Sequence, residues 1–203
     1  MFQGKFNLME KLGRQFRKLE EKDIPSLQEF CDTCKDLGYV NNQSFEAIKL
    51  DKMVMPYGQF FVGVDDDKIF TIAGVHRLPE VNDRAWRCLF RGAQLPGYTP
   101  AWSMDIFKSG IHFSQFLYQQ IKFVQELDPD ADFYVSTNVH STVGAKSSRM
   151  NDVMMPRIAK RGIWTLALEN FMLYNVPQNL WKINVQQYME ARERWLSGES
   201  CRD

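Results

Sequence analysis

The chain has little of what usually announces a reaction. Three histidines (His76, His112 and His140) are scattered over 203 residues with no i, i+4 pair, so no helix face offers two imidazoles to a metal. Four cysteines are present, and of these only Cys31 and Cys34 are spaced as C-x-x-C. They share an apolar helical face with Ile24, Leu27, Phe30 and Leu37, so they read as small apolar residues rather than a redox pair or half a zinc site. Charge of neither sign is in surplus: 25 Lys and Arg balance 25 Asp and Glu, which argues against nucleic acid as a partner. No apolar run nears the roughly 20 residues that span a bilayer. The opening Met1-Phe-Gln-Gly-Lys-Phe6 lacks the apolar stretch of a signal peptide. The expectation is a cytoplasmic protein that binds no membrane. Ser136, Ser141, His140 and Asp152 lie near one another in sequence without a nucleophile elbow, so a hydrolytic triad is a poor reading.

What the chain does have is material for a core. Hydrophobic residues make up 44% and aromatics 13%, with fifteen Phe and five Trp, enough for one sizeable domain. Residues 1–14 read as an N-terminal extension, and 15–20 as an edge-like strand. Asp23 before Ile24-Pro25 supplies a helix start, and Gly38 a stop. A second short helix is predicted over 44–53. The β-prone runs 58–64 and 68–76 flank Asp65-Asp66-Asp67 and predict a hairpin. A strand follows at 85–94. In 111–127, Phe113, Phe116, Leu117, Ile121, Val124 and Leu127 keep one helical face apolar.

Residues 132–138 read as a buried strand, 147–161 as a helix with Pro156 inside it, and 163–168 as another strand. Phe171 to Tyr174 and Leu180 to Ile183 form a return strand interrupted at Val176-Pro177-Gln178-Asn179. Residues 186–203 are a C-terminal helix and tail. The predicted fold is a single α+β domain over 1–203. Its sheet is mixed and mostly antiparallel, with a parallel central pair joined by the crossover from Gln94 to Asp132 and helices on its faces.

This order, with particular residues, resembles the GNAT superfamily of N-acyltransferases. The Arg17…Asp23-Ile-Pro-Ser-Leu27 opening is similar to that family's first strand and helix, and Ile72-Ala-Gly-Val75 to its third strand. Asn151-Asp-Val-Met-Met-Pro-Arg-Ile-Ala-Lys160-Arg-Gly162-Ile163 lies over its late helix without a gap, and Asn138 falls where the family often has Asn. The resemblance covers roughly residues 16–183. It implies acetyl-CoA or another acyl-CoA as co-substrate and a small-molecule or peptide amine as acceptor. It also implies a gap between the strand segments 89–95 and 133–138 for the cofactor's amide arm. The family's Arg/Gln-x-x-Gly-x-Gly/Ala motif, whose backbone N–H groups hold pyrophosphate at a helix N-terminus, falls on Lys108-Ser-Gly-Ile-His-Phe113. Cofactor contacts implied in this way are Leu95, Lys108, Ser109, Gly110, Ile111, His112 and Asn138.

Two departures stand out. His112 occupies the second glycine's place, and Ile158 stands where many members carry the tyrosine that protonates the departing thiolate. Tyr134 and Tyr174 read as strand residues. Candidate bases are His76, Glu80 and His112, with Asp83 nearby. His76, at a strand end, can titrate near neutrality, although a surface or hydrogen-bonded structural histidine is the commoner case. Lys146, Arg149, Arg157, Lys160 and Arg161 read as a solvated cationic face. The rival to an enzyme is a non-catalytic module on the same scaffold, its cofactor site degenerate, used for binding or self-association. Exposed aromatics such as Trp102 or Trp195 would mark the homodimer surface.

Overall fold

The structure is a computed structural model that describes residues 14–38, 45–54, 58–98, 111–139 and 155–197. Seven strands form one sheet in the order β1-β2-β3-β4-β5-β7-β6. The strands are β1 (Gln15–Lys18), β2 (Gln59–Asp65), β3 (Lys68–Arg77), β4 (Ala85–Gln94), β5 (Asp132–Asn138), β6 (Trp164–Leu173) and β7 (Val176–Ile183). Helices α1 (Ile24–Asp36), α2 (Phe45–Val54), α3 (Ile111–Leu127), α4 (Met155–Lys160) and α5 (Val185–Ser197) cover its faces. Every neighbouring pair is antiparallel except β4 and β5. That parallel pair is the one joined through α3, the connection that a right-handed crossover makes favourable.

Strand alternation sorts the core into two layers. Phe61, Val75, Trp86, Cys88, Phe133, Val135 and Trp181 face α3, α4 and α5, meeting Phe116, Ile121, Val124, Ile158 and Tyr188. Phe60, Val62, Ile72 and Phe90 point the other way, against Leu27, Phe30, Cys31 and Cys34 of α1 and Ile48 of α2. Beyond α1 and α2 this second face carries a smaller cluster of Leu78, Ala85, Tyr134, Leu173 and Leu180. Burial pushes the Cys31 thiol up to about 12 and that of Cys34 to about 11, so both are inert packing groups at neutral pH. Arg17 on β1 grips Asp23 through two bonds of 2.5 and 2.7 Å, tying the first strand to the start of α1.

The β2–β3 hairpin turns through Asp66 and Asp67, both at positive φ (45° and 63°), a conformation short polar side chains tolerate. The last hairpin differs from the predicted one. β6 continues through Phe171 to Leu173, the chain turns at Tyr174-Asn175 (φ 52° and 62°), and β7 begins at Val176. Pro177 therefore lies inside a central strand instead of in a break. Its carbonyl accepts from Val139 N just past the end of β5, and the missing N–H falls on that same side, where the ladder has run out. Of the helix predicted over 147–161, the described part is α4, and Pro156 stands in its first turn, where proline costs little. Tyr134 is buried in β5 and Tyr174 is half exposed in the turn.

Candidate active site

The parallel ladder between β4 and β5 is short. Registered pairs run from Ala85 with Asp132 to Cys88 with Val135 and stop there. Beyond that point β4 stays on β3 as far as Gln94, and β5 stays on β7 as far as Asn138. The two strands have parted into a wedge, which opens at Leu89 on β4, where the resemblance placed it, and at Ser136 on β5, three residues later than expected.

The cause lies in β4. Against β3 its register slips twice: His76 faces Arg87, Gly74 faces Phe90 and Ile72 faces Ala93. Each slip puts one extra residue in β4, and Leu89 and Arg91 take φ of 55° and 51° to accommodate it. Two bulges within five residues bend and twist the strand away from β5. The first bulge strands Leu89 N–H, and Gln120 of α3 meets it: Oε1 accepts from Leu89 N at 3.0 Å, while Nε2 donates to Ala73 O at 3.2 Å. Gln120 is wholly buried. This polar side chain in the core thus holds the wedge open by satisfying groups that the ladder would otherwise claim.

Helix α3 returns from the open end of the wedge. Its last turn meets Trp86 through Asp128 (3.4 Å), and Gln120 is level with Leu89. Its first residue therefore lies about 14 Å further on at 1.5 Å per residue, alongside the end of β4. The positive end of the helix dipole sits at the wedge mouth.

On the second face of the sheet a polar cluster lies against the wedge. His76 is 3% exposed. Its Nδ1 approaches Arg77 O at 2.6 Å, so the proton sits on Nδ1 and the lone pair on Nε2, which is buried without a partner among the described residues. Burial, and then the field of Arg87, pull its pKa down to about 4, against the Arg77 carbonyl, which raises it. The near-neutral titration open to a strand-end imidazole is thereby excluded, and the ring is a buried, hydrogen-bonded one. The ring packs on Phe90 with centroids 4.7 Å apart.

Arg87 is 9% exposed and spans from β4 across β5 to Gln178 on β7, donating from Nη2 to Oε1 at 3.0 Å. Its guanidinium carbon lies 4.9 Å from the Phe90 ring and 5.6 Å from that of Tyr174. Burial lowers its pKa to about 10, with Tyr174 pulling it back up, so it remains a cation at neutral pH.

Glu80 is exposed in the loop after β3, close enough for its charge to act on Arg87. Leu95 leaves the end of β4 toward β3, its N–H donating to Phe70 O at 2.9 Å. Asn138 ends β5, paired with Gln178. Ile111 and His112 open α3, and their side chains, with Lys108, Ser109 and Gly110, fall outside the described residues. So do His140, Trp102 and the Trp195 side chain. Ile158 is a core residue of α4, so no proton donor occupies that place. Among the described residues no group of three His, Cys, Asp or Glu is placed to hold a metal. No helix among them is long and apolar enough to cross a membrane.

Sequence reasoning gave no role to Arg87, Gln120 or Gln178, and read Tyr174 as a strand residue. Only Arg87 gave a signal, a charge inside the otherwise buried Ala85-Trp-Arg-Cys-Leu.

A mixed seven-stranded sheet whose central parallel pair splays beside a helix start is the fold of the GNAT acyltransferases, and the chain has that fold. No family model and no curated protein matches its sequence. Among solved structures, the chain is similar to a protein assigned to the GNAT acetyltransferases from Desulfovibrio desulfuricans, with TM-score 0.53 and 11% identity over 85% of this chain and 99% of that one. An acyl-CoA N-acyltransferase from Pseudomonas aeruginosa matches with TM-score 0.51 and 10% identity, over 84% of this chain and 97% of its own. A spermidine N-acetyltransferase chimera drawn in part from Vibrio cholerae matches with TM-score 0.52 and 12% identity, over 87% and 98%.

Proposed function

We propose that the protein is an acyl-CoA-dependent N-acyltransferase, moving an acyl group from the thioester to an amine. The wedge carries this reading. A flat ladder has no room for a cofactor arm, whereas unzipped β4 and β5 edges offer amides and carbonyls at β-sheet spacing to an extended chain that itself carries amides. Leu95 and Asn138 bracket that edge. The opening of α3, with Lys108, Ser109, Gly110, Ile111 and His112, is where the pyrophosphate would rest against the positive end of the helix. His112 in place of a glycine narrows that approach.

Bound acyl-CoA would supply the activated carbonyl. The chain's part is to deliver a neutral amine to it. His76 Nε2, a buried lone pair with no partner among the described residues, accepts an N–H from the amine and aims its free pair at the thioester carbon. A pKa near 4 makes it an orienting acceptor more than a strong base. Glu80, exposed at the rim, would take the released proton to solvent. The thioester would supply the electrophilic carbonyl and the thiol leaving group, whose C–S bond would break as the amide C–N bond forms. With Ile158 buried in α4, the sulfur departs as thiolate or takes its proton elsewhere.

The test is calorimetric titration of acetyl-CoA, followed by thiol release with a panel of amines. Binding at micromolar to submillimolar concentration with amine-dependent thiol release is expected. Absence of heat at millimolar cofactor would leave the non-catalytic module as the reading.

A further inference from the structure

We infer that Arg87 is the anchor for a carboxylate on the acceptor, so that the substrate is an amine bearing an acid group, as an amino acid does, and not a polycation. The inference rests on the acyltransferase reading for the amine and goes beyond it in naming the acceptor's chemistry.

An arginine nine-tenths buried ordinarily faces a carboxylate, because an uncompensated charge in an apolar setting is costly. Arg87 has no ion pair among the described residues. Its hydrogen-bond partners there are neutral, the Gln178 amide oxygen at 3.0 Å and the Tyr174 hydroxyl, while Nε and Nη1 are buried with no hydrogen-bond partner among the described residues. Two aromatic rings, Phe90 and Tyr174, supply the rest of its surroundings. Rings hold a guanidinium in place but leave its in-plane N–H groups unsatisfied. Two oxygens of one carboxylate are what adjacent guanidinium N–H groups match in a single step.

The position fits the reaction. Arg87 sits directly across from His76 in the β3–β4 register, and the parallel ladder ends one residue after it, at Cys88. Its side chain reaches Gln178, the partner of Asn138 beyond the point where the strands part. The guanidinium therefore lies against the wedge on the second face of the sheet, the face that carries Phe90. Arg91 adds a second positive field there, lowering the pKa of both His76 and Arg87. An amine whose carboxylate lies on Arg87 brings its nitrogen toward the free Nε2 of His76. A polyamine brings its charges to a site already positive and meets repulsion.

The experiment compares acceptors in pairs, each amino acid against its carboxamide, with acetyl-CoA and thiol release as readout. Acids should exceed amides by about a hundredfold in kcat/KM, the usual cost of leaving a buried charged partner unmatched. Arg87→Gln should bring the ratio near one with acetyl-CoA affinity unchanged, and Arg87→Lys should restore part of it. Equal turnover of acids and amides, preference for spermidine, or weakened acetyl-CoA binding in Arg87→Gln would overturn the assignment. If wild-type protein ignores acetyl-CoA, the enzyme reading fails by itself. The anchor is then read without cofactor, by binding of N-acetylglycine against N-acetylglycinamide. Carboxylate-dependent binding lost in Arg87→Gln supports it, and none in wild type overturns it. Arg87→Met should raise Tm; a fall would mean that the charge serves the fold and not a ligand.

Discussion

Replacing Gln120 by methionine asks whether one buried amide holds the wedge open. Methionine keeps the length and nearly the volume of glutamine, so packing around α3 changes little. What is lost is specific. Leu89 N–H, turned toward α3 by the first bulge, loses its acceptor at 3.0 Å, and Ala73 O loses its donor at 3.2 Å. The β4 register skips Ala73 altogether, with Ile72 on Ala93 and Gly74 on Phe90, so no strand partner stands ready to replace the amide. Each orphaned buried group costs about 1–3 kcal/mol, and two of them sum to about 3 kcal/mol at the lower middle of that range. For a chain of this length that is a fall of roughly 6–12 °C in Tm. Urea titration followed by tryptophan fluorescence gives the free energy, and an unchanged m-value would show that the comparison is between like states. A loss below about 0.5 kcal/mol would refute the reasoning, since it would mean that Leu89 N–H and Ala73 O find partners without Gln120.

Other outcomes follow from the same geometry. His76 is held neutral by burial at a pKa of about 4, below the 6.5 of a free imidazole. A group with a depressed folded pKa contributes its stability above the unfolded value. That contribution should fade as pH falls from 6.5 toward 4, by about 3 kcal/mol in all; His76→Gln should flatten that limb in denaturant titrations at stepped pH. Gly63→Ala places a methyl 2.5 Å from Thr71 Cγ2 and 2.9 Å from Phe70 Cζ, and should cost about 1–3 kcal/mol through overpacking. Asp23 is held below the usual carboxylate range, first by its bond to Arg17. The Arg17 pair therefore stabilises above the ordinary carboxylate pKa and is lost as pH drops through the lowered one. Asp23→Asn should show a smaller acid loss than wild type in the same titration.

The fold was legible where local chemistry and tertiary setting agree. Asp65-Asp66-Asp67 between two β-prone runs names a hairpin because short polar residues tolerate positive φ, and Phe116, Ile121 and Val124 mark the buried face of α3 at helical spacing. The last hairpin was misread because Val176-Pro177-Gln178-Asn179 has the composition of a turn while Tyr174-Asn175 does not. Pro177 is accommodated only because β5 has already ended beside it, a fact of topology that no local window contains. The wedge was implied only by the family resemblance, and its local cause left no trace: Leu89 and Arg91 adopt positive φ without being glycine, asparagine or aspartate. The candidate site was legible only in part. His76 was visible as a residue, but its burial depends on Phe90 and Arg87 across the strand, so sequence left its titration open between a near-neutral and a structural histidine. That no carboxylate among the described residues forms an ion pair with Arg87 is a property of what surrounds it, which sequence does not display.

The central claim is that the parted edges of β4 and β5 receive the amide arm of an acyl-CoA, and amide hydrogen exchange reads those edges directly. On saturating with acetyl-CoA, exchange in peptides covering Leu89 to Gln94 and Ser136 to Asn138 should slow, while Lys68 to Arg77, already paired on both sides, should not change. Unaltered exchange in both wedge segments at millimolar acetyl-CoA, or protection confined to other parts of the sheet, would contradict it.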